Sequence, residues 1–431
     1  MRKLGAHLLP ATAGLAAWLL LPAAAWSTEG YFQLGFSPIQ NAQGGAGVAN
    51  SEDAMAMALN PAGIVGLGEQ FQLGGALFMP YRGYTATGTG FVAPGAGGSG
   101  TIDSSENLFI MPNMAYSRPL DANSAIGIVL YGNGGMNTTY NGVANAACGG
   151  AGAGVFCGGN AGVDLMQAFI SVDYARRIGN FAFGIAPTLA LQRFRAKGLS
   201  AFTGYSADPA NMTDRGYDYS IGGGLRGGLQ YDFTPQFRLG LSGQTKMLMS
   251  KFGKYSGLFA DQGNFDIPAS VTAGIAYDLM PQITLMADYQ RIFYSGVDSV
   301  ANSSTTPALY GSTGGPGFGW HDVNVYKFGL QYRLNPQWTL RAGYAYSDNP
   351  VQSTDVMFNI LAPGVVQHHF TVGASYKVSE RSTIDAAFVY APAVKTSGAL
   401  AAGSPPAGQG GGTVELHMHQ FLGQLGWTYH F

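Results

Sequence analysis

Few groups of residues in this sequence have the types and spacing that metal, phosphate or nucleophilic chemistry requires. His368 with His369, and His417 with His419 on one side of a strand, suggest a metal site. Zinc needs further ligands at defined spacing, and none follows, so residues at the rim of the fold are the better interpretation. Glycines 222–224 precede no helix, which argues against a phosphate loop, and no Ser-His-Asp order stands out. The sequence therefore predicts no enzyme, no metal site and no cofactor.

The two cysteines, Cys148 and Cys157, lie nine positions apart in a loop rich in Gly and Ala. In an oxidising compartment they can form one local disulfide. A metal site is the alternative, but two cysteines with no nearby histidine make a poor one. We therefore predict a disulfide.

The composition excludes several classes of protein. Only 11% of the 431 residues are charged, whereas ordinary soluble domains carry roughly 25%. Since 46% of the residues are hydrophobic, the low charge argues against disorder as well as against a large solvated surface. The formal net charge of -2 gives no basis for binding nucleic acid.

The N-terminus has the pattern of a secretory signal peptide. Basic residues at the start precede an apolar stretch at 15–21, and small residues follow, with cleavage near Ala25 or Ser27. An anchoring helix is the alternative, but the stretch is short and interrupted by prolines. We predict that residues 1–27 are a signal peptide and that the protein is exported.

Beyond about residue 70, segments of 10 to 18 residues alternate apolar with polar or small side chains, which is the period of a two-faced strand. The region after the signal peptide contains no apolar run of about 20 residues, the length that a membrane-spanning helix needs. A chain of this kind must cross a membrane as a closed barrel, because only helices and barrels satisfy their backbone groups in lipid. In one such segment, five residues share a face: Trp338, Leu340, Ala342, Tyr344 and Tyr346.

The connections distinguish a membrane barrel from a soluble sandwich, which periodicity alone does not. Tight turns rich in Asn, Asp, Gly and Pro lie at 120–123, 177–180, 232–236, 278–282, 334–337 and 378–381. Long polar connections alternate with them, near 89–107, 142–162, 198–217, 254–266, 296–322, 347–367 and 391–413. Short turns at one rim and long loops at the other are typical of outer-membrane barrels. Six turns and seven loops predict about fourteen strands.

The predicted fold is thus an all-β transmembrane antiparallel barrel over residues 71–431, located in the outer membrane. We expect it to contact outer-membrane lipid and lipopolysaccharide and to be a monomer. The end of the chain agrees with this fold, because alternate residues there share one face and are similar to the terminal-strand signal of such barrels: Leu425, Trp427, Tyr429 and Phe431.

Residues 28–70 do not alternate and form a separate N-terminal segment. Acidic residues precede a short apolar stretch, 54–59, which predicts a helix, and the Asn-Pro-Ala-Gly run at 60–63 ends it. The segment is either a periplasmic tail or a plug, since a barrel of about fourteen strands has room for contents.

This segment resembles the N-terminal hatch of the FadL-type outer-membrane transporters of long-chain fatty acids and of hydrocarbons, aromatic ones included. The resemblance implies a barrel whose lumen is closed by a hatch of short helices. It also implies passive transport of hydrophobic small molecules, with entry from outside, a change in the hatch and lateral exit through the wall. The alternative is a general porin-type diffusion channel, which needs no plug. The matching residues are 30–34, 43–47, 53–54 and 60–63, followed in the family's order by 320–322, 328–332, 338–344, 348–351 and 371–376.

Two groups of site residues follow from the resemblance. The run Asn60, Pro61, Ala62 and Gly63 matches the family's gating element, and a plain helix stop is the alternative. A second group, in the third predicted strand, corresponds to the wall kink of the family's lateral opening, and a flexible stretch near a loop is the alternative. Its members are Gly132, Asn133, Gly134 and Gly135.

A fatty-acid ligand needs cations, because an unpaired buried carboxylate is costly. Candidates are Arg193, Arg195 and Lys197 near the top of the fifth predicted strand, together with Lys327. The alternative places such residues at the outer rim among lipid headgroups. His321 is the fifth candidate, at a position where some fatty-acid transporters of the family carry Lys. This difference weakens the case for a carboxylate ligand and keeps a neutral hydrocarbon or aromatic ligand as an alternative.

Overall fold

The computed structural model describes residues 29–92, 99–400 and 411–431, and the predicted signal peptide lies outside them. Its main feature is a sheet of fourteen long antiparallel strands: β1 (Gln70–Thr87), β2 (Phe109–Asp121), β3 (Ser124–Asn137), β4 (Gly162–Ile178), β5 (Phe181–Lys197), β6 (Asp218–Asp232), β7 (Phe237–Gln244), β8 (Ser270–Met280), β9 (Ile283–Ile292), β10 (Val323–Arg333), β11 (Trp338–Ser347), β12 (His368–Ser379), β13 (Ser382–Ala399) and β14 (Thr413–His430). Pairing of β1 with β14 closes this sheet into a barrel. The predicted all-β barrel is confirmed.

Short turns and long loops alternate along the barrel as the sequence predicted. The turns lie at 122–123, 179–180, 233–236, 281–282, 334–337 and 380–381. The loops lie at 138–161, 198–217, 245–269, 293–322 and 348–367, and the connections 88–108 and 400–412 include residues 93–98 and 401–410, which lie outside the described ranges.

The fourth loop begins earlier than the sequence predicted, because β7 ends at Gln244. The side-chain oxygen of Thr245 then accepts the backbone N–H of Leu225 at 3.0 Å, so a side chain replaces a backbone carbonyl in the ladder. Pairing with β6 resumes briefly at Leu248–Met249. Three other short strands extend the loops: Ser99–Asp103 pairs with β1, and Phe91–Val92 pairs with Ala144–Asn145.

The two faces of each strand have opposite environments. On β11, Leu340 is 40% exposed and points outward, whereas its neighbour Arg341 is 7% exposed and points inward. The same alternation recurs on the other strands, so the outer surface is apolar and the inner face is polar and buried. An apolar surface this extensive is unfavourable in water. It is favourable in lipid, because removing each such side chain from water lowers the free energy by about 1.5–3 kcal/mol.

All helices in the described ranges are short, and none of them is long and apolar enough to cross a bilayer. Three lie ahead of β1: α1 (Pro38–Ala42) and two 3₁₀ turns, Ala54–Ala58 and Pro61–Ile64. The helix predicted at 54–59 is thus a 3₁₀ turn. The remaining helical turns belong to the loops: Ala146–Cys148, Ser200–Tyr205, Pro209–Asn211, Gly253–Tyr255, Ala260–Gly263, Tyr294–Gly296, Asp298–Ala301 and Phe358–Ile360.

Candidate functional site

Residues 29–69, called the hatch segment below, run through the inside of the barrel. Nearly all of residues 29–65 are buried, although they form few regular elements of their own. Their burial comes from contact with the inward faces of the strands, and α1 contacts β11, β12, β13 and β14. The segment therefore fills space that the barrel encloses.

Glycines on the inward face of the wall let the backbone of the hatch segment come close. A Cβ on Gly184 would lie 2.5 Å from the backbone nitrogen of Ala62, and one on Gly228 would overlap the side chain of Asn60. Similar overlaps would arise at further wall glycines, against residues 42–57: Gly127, Gly240, Gly343 and Gly373. This role was not predicted from the sequence, although the signal was present as glycines at inward positions of alternating strands.

Charged wall residues hold the middle of the hatch segment. Asp288 on β9 accepts the backbone N–H groups of Gly47 and Val48 at 2.8 and 2.9 Å. Arg341 on β11 forms an ion pair of 2.6 Å with Glu52. These bonds pair polar groups that would otherwise be buried without partners, which is costly.

Other contacts tie the hatch segment to β1 and β12. The carboxylate of Asp53 does not cap the following helical turn, because it accepts a hydrogen bond from Gln72 at 3.0 Å. Gly44, whose φ of +67° suits glycine, donates its N–H to Thr371 Oγ1 at 2.9 Å. The segment is therefore bonded to strands on several sides of the barrel.

The predicted gating residues lie against β5 and β6. Asn60 donates from Nδ2 to the carbonyl oxygens of Val48, at 2.7 Å, and of Leu229, at 3.1 Å. Its Oδ1 accepts the N–H of Ala62 at 3.1 Å, which caps the turn that begins at Pro61. Gly63 is buried in the same turn. One asparagine thus joins two parts of the hatch segment to the wall.

The wall itself is interrupted between β2 and β3. Their last pair toward the long loops is Met114 opposite Leu130, yet both strands continue beyond it. Beyond the last pair, the only strand that β2 pairs with is β1, as far as Phe109, and the only strand that β3 pairs with is β4, as far as Asn137. The wall closes again where Ser105 donates its backbone N–H to Thr139 at 2.9 Å. The region between, residues 109–113 and 131–137, is called the wall break below.

The predicted kink residues lie along the wall break. Asn133 is an extra residue in β3, because Gly132 pairs with Ala168 and Gly134 pairs with Gln167. Its Nδ2 donates to the side chain of Gln167 at 3.0 Å. Such a bulge bends a strand. Gly135 follows at the same edge.

The hatch segment touches β3 at this bulge. Phe32 forms an isolated antiparallel bridge with Gly134, and Gln33 donates from its side chain to the carbonyl of Gly132. A Cβ on Gly134 would overlap the carbonyl of Tyr31. Two features that were predicted separately, the kink and the hatch, are therefore in contact.

Aromatic side chains surround the start of the hatch segment on the side of the long loops. The ring of Tyr31 lies 5.3 Å from Tyr294 and 5.9 Å from Trp320. Tyr294 donates to the carbonyl of Glu29 at 2.6 Å and accepts the N–H of Tyr31 at 3.0 Å. Further buried rings extend this cluster into the loops: Phe202, Phe265, Tyr310, Phe318 and Phe358.

The predicted cations have different surroundings. Lys327 is buried, lies 2.9 Å from Glu29 Oε1 and donates to the carbonyl of Leu34, so the hatch segment already supplies its partners. Burial raises the pKa of Glu29 to about 7, and the ammonium of Lys327 opposes this rise. His321 is exposed at the end of a loop.

The three cations of β5 lie on the outer face, because the buried residues of that stretch alternate with them and the register to β4 does not shift. Arg193 and Arg195 lie 4.4 and 4.5 Å from the ring of Tyr217, and Lys197 follows them. Tyr217 donates to Asp164 at 2.5 Å, and burial raises the pKa of the phenol to about 12. These residues form an outward polar cluster near the long loops.

Two further groups were singled out in the sequence. Cys148 and Cys157 are joined as a disulfide, with their Cα atoms 5.4 Å apart. Within residues 29–92, 99–400 and 411–431, no three His, Cys, Asp or Glu side chains are placed to hold a metal ion. His417 lies 2.8 Å from Asp103, and His419 stacks on Tyr81.

Comparison with known structures gives similar barrels. The P. putida toluene transporter TodX matches with 18% identity, a TM-score of 0.67, and coverage of 92% of this chain and 99% of that one. A Pseudomonas aeruginosa FadL homologue matches with 15% identity, a TM-score of 0.69, and coverage of 93% and 100%. The Ralstonia pickettii toluene transporter TbuX matches with 20% identity, a TM-score of 0.61, and coverage of 92% and 99%. At these identities the likeness shows the fold.

The family follows from the sequence itself. No curated protein matched the chain. Residues 36–431 match the family model described as outer membrane protein transport protein (OMPP1/FadL/TodX). This match spans nearly the whole chain, and it confirms the resemblance, the location in the outer membrane and a role in transport rather than catalysis. The chain belongs to the OMPP1/FadL/TodX family of outer-membrane transporters of hydrophobic compounds.

Proposed function

We propose that this protein carries hydrophobic small molecules passively across the outer membrane and releases them sideways through the wall break. The observation that carries the proposal is the missing pairing between β2 and β3, at a bulge that the hatch segment contacts. A lateral exit needs a place where the wall lacks hydrogen bonds, since opening paired strands would leave backbone groups unsatisfied in lipid.

The route begins at the aromatic cluster and passes the start of the hatch segment. Tyr31 and Phe32 belong to this cluster and also contact the bulge of β3, so a ligand that displaces them reaches the wall break directly. Residues 60–63 anchor the far end of the segment and act as the gate that limits its movement. No nucleotide or ion gradient is part of the proposal, so the ligand moves down its own gradient.

The ligand class is an apolar or amphiphilic molecule, either a long-chain fatty acid or a hydrocarbon. Two of the similar structures are named as toluene transporters and one as a FadL homologue. The aromatic cluster suits the apolar part of either. The outward cluster of Arg193, Arg195 and Lys197 faces the outer rim, where lipid and lipopolysaccharide headgroups are its partners.

A general porin is the competing function, and its channel would stay open to small polar solutes. The burial of residues 29–65 inside the barrel favours the gated transporter. Conductance of the purified protein in a planar bilayer separates the two, because a porin conducts steadily and a gated barrel stays closed.

Deleting Asn133 tests the lateral route. The deletion removes the extra residue of the bulge but keeps the pairs on both sides of it, so β3 becomes straight. The matched control is Asn133→Ala, which keeps the bulge and removes only the hydrogen bond to Gln167. Uptake of radiolabelled toluene and dodecanoate is measured in Gram-negative cells without such channels of their own.

We expect the deletion to abolish uptake and the control to retain it, with both variants still folded as barrels on unboiled gels. Unchanged uptake by the folded deletion variant would contradict lateral exit, while transport across the membrane would still stand.

A further inference from the structure

Four Lys and Arg side chains are buried in the described part of the barrel, and they differ in their partners. Lys327 and Arg341 each have a carboxylate within 3 Å. Arg226 has no carboxylate within 4 Å, but its guanidinium donates to the side chains of Tyr131 and Gln244 at 3.1 and 2.6 Å. Arg82 is 5% exposed and donates only to a backbone carbonyl.

No acidic residue in the described ranges lies within ion-pair distance of Arg82. Residues 1–28, 93–98 and 401–410 contain no Asp or Glu, so they offer no partner either. A guanidinium carries five donors, and a buried charge is costly unless it is paired. Of these four side chains, Arg82 therefore has the fewest hydrogen-bond and ion-pair partners.

Arg82 is placed at the wall break. It lies on the inward face of β1, beyond Phe78, where the pairing with β2 ends, and its guanidinium donates to the carbonyl of Asn137, at the end of β3. The same guanidinium lies 5.6 Å from the ring of Phe109, the first residue of β2. The side chain thus spans the end of the break that is nearer the long loops.

The surroundings below Arg82 are mainly apolar, and the polar side chain of Asn113 among them donates to the carbonyl of Phe36 at 3.0 Å. Met111 on β2 and Tyr131 on β3 are both buried at the break, and so is Met136. Phe36 of the hatch segment packs on Tyr131 with ring centroids 4.6 Å apart. A positive group at one end of an apolar opening matches a molecule with one anionic head and one apolar tail.

We propose that Arg82 binds the carboxylate of an amphiphilic ligand, such as a fatty acid, at the wall break. A carboxylate accepts two hydrogen bonds from a guanidinium side by side, and such charged pairs are stronger than a bond to a neutral carbonyl. The incoming head therefore displaces the carbonyl of Asn137 from Arg82. That exchange removes a link between β1 and β3 across the break while the tail lies against Phe109 and Met111.

The inference rests on the proposed transport function and adds a ligand class to it. It predicts that this protein handles anionic amphiphiles better than their neutral esters. None of the five cations expected from the sequence has this position, because Lys327 is paired and Arg193, Arg195, Lys197 and His321 lie on the outside or in a loop.

The experiment compares uptake of labelled dodecanoate, methyl dodecanoate and toluene by cells that express the full-length protein. Variants are Arg82→Gln, which removes the charge, and Arg82→Lys, which keeps the charge but loses the paired donors. The matched control is Arg118→Gln, on an exposed part of β2. We expect Arg82→Gln to lower dodecanoate uptake about tenfold or more, the effect of one charge-assisted hydrogen bond, and Arg82→Lys to fall between. We expect toluene uptake to stay within about twofold of the wild type, since a hydrocarbon has no group that accepts a hydrogen bond from Arg82.

Several results would overturn the inference. An equal loss for dodecanoate and toluene in a folded Arg82→Gln variant would show that Arg82 only supports the wall, and no loss would show that it does not bind the head. If Arg82→Gln does not fold, uptake by the wild type alone still tests the inference. Equal wild-type uptake of dodecanoate and its methyl ester would contradict it. Absence of wild-type uptake of all three molecules would instead contradict the proposed transport function.

Discussion

Replacing Gly228 by alanine tests whether the wall glycines keep the hatch segment closed. The added Cβ would overlap Asn60 Oδ1 and lie 2.9 Å from Pro61 Cδ, so Asn60 must leave its place. Its bonds to Val48, Leu229 and Ala62 are then lost. At about 1 kcal/mol for each hydrogen bond, the closed state loses roughly 3 kcal/mol, which shifts the balance between closed and open by about a hundredfold.

The assay is single-channel conductance of the purified protein in a planar bilayer. We expect the wild type to be closed almost all the time and Gly228→Ala to show frequent openings. The control is Gly227→Ala, one residue earlier on the same strand, where an added Cβ meets nothing within 4 Å. Equal conductance of the two variants would refute the reasoning, provided that both fold, because only one of them changes the contact with Asn60.

Three further predictions concern the hatch segment and the loops. Deleting residues 28–63 opens a steady conductance and abolishes selective uptake, and an unchanged uptake profile would mean that the segment is not a gate. Glu52→Ala leaves the buried guanidinium of Arg341 without its carboxylate, at a cost of about 3 kcal/mol, so openings increase, and adding Arg341→Met recovers part of the loss. Cys148 and Cys157 resist alkylation in the exported protein until a reductant is added, and labelling without reductant would contradict the disulfide.

The sequence predicted the barrel well because the period of a strand is a local property. The outward face that includes Trp338 and Leu340, and the alternation of turns with loops, were visible without knowledge of any contact. The interior was harder to predict, since its partners lie far apart in the chain. Nothing near Lys327 in sequence indicates Glu29 as its partner.

The wall break was expected from the resemblance and not from the residues alone. Glycines at 132, 134 and 135 are compatible with a loop as well as with a bulge, and only the register to β4 separates the two. Arg82 was not singled out, because one arginine in an alternating strand has no signal of its own. Its importance depends on the absence of a carboxylate within ion-pair distance, which is a property of the folded chain.

The pairing of β1 with β14 has a consequence for biogenesis. The hatch segment immediately precedes β1, whereas the strand that completes the barrel is the last one, and the two pair along their full lengths from Gln70 to Thr87. The segment enters the barrel at the rim where β1 begins, so it is fully enclosed only once the last strand has paired with the first. Loss of the final strand would leave both an unpaired edge and an unenclosed segment, so a truncated product should be recognised as unfinished and degraded.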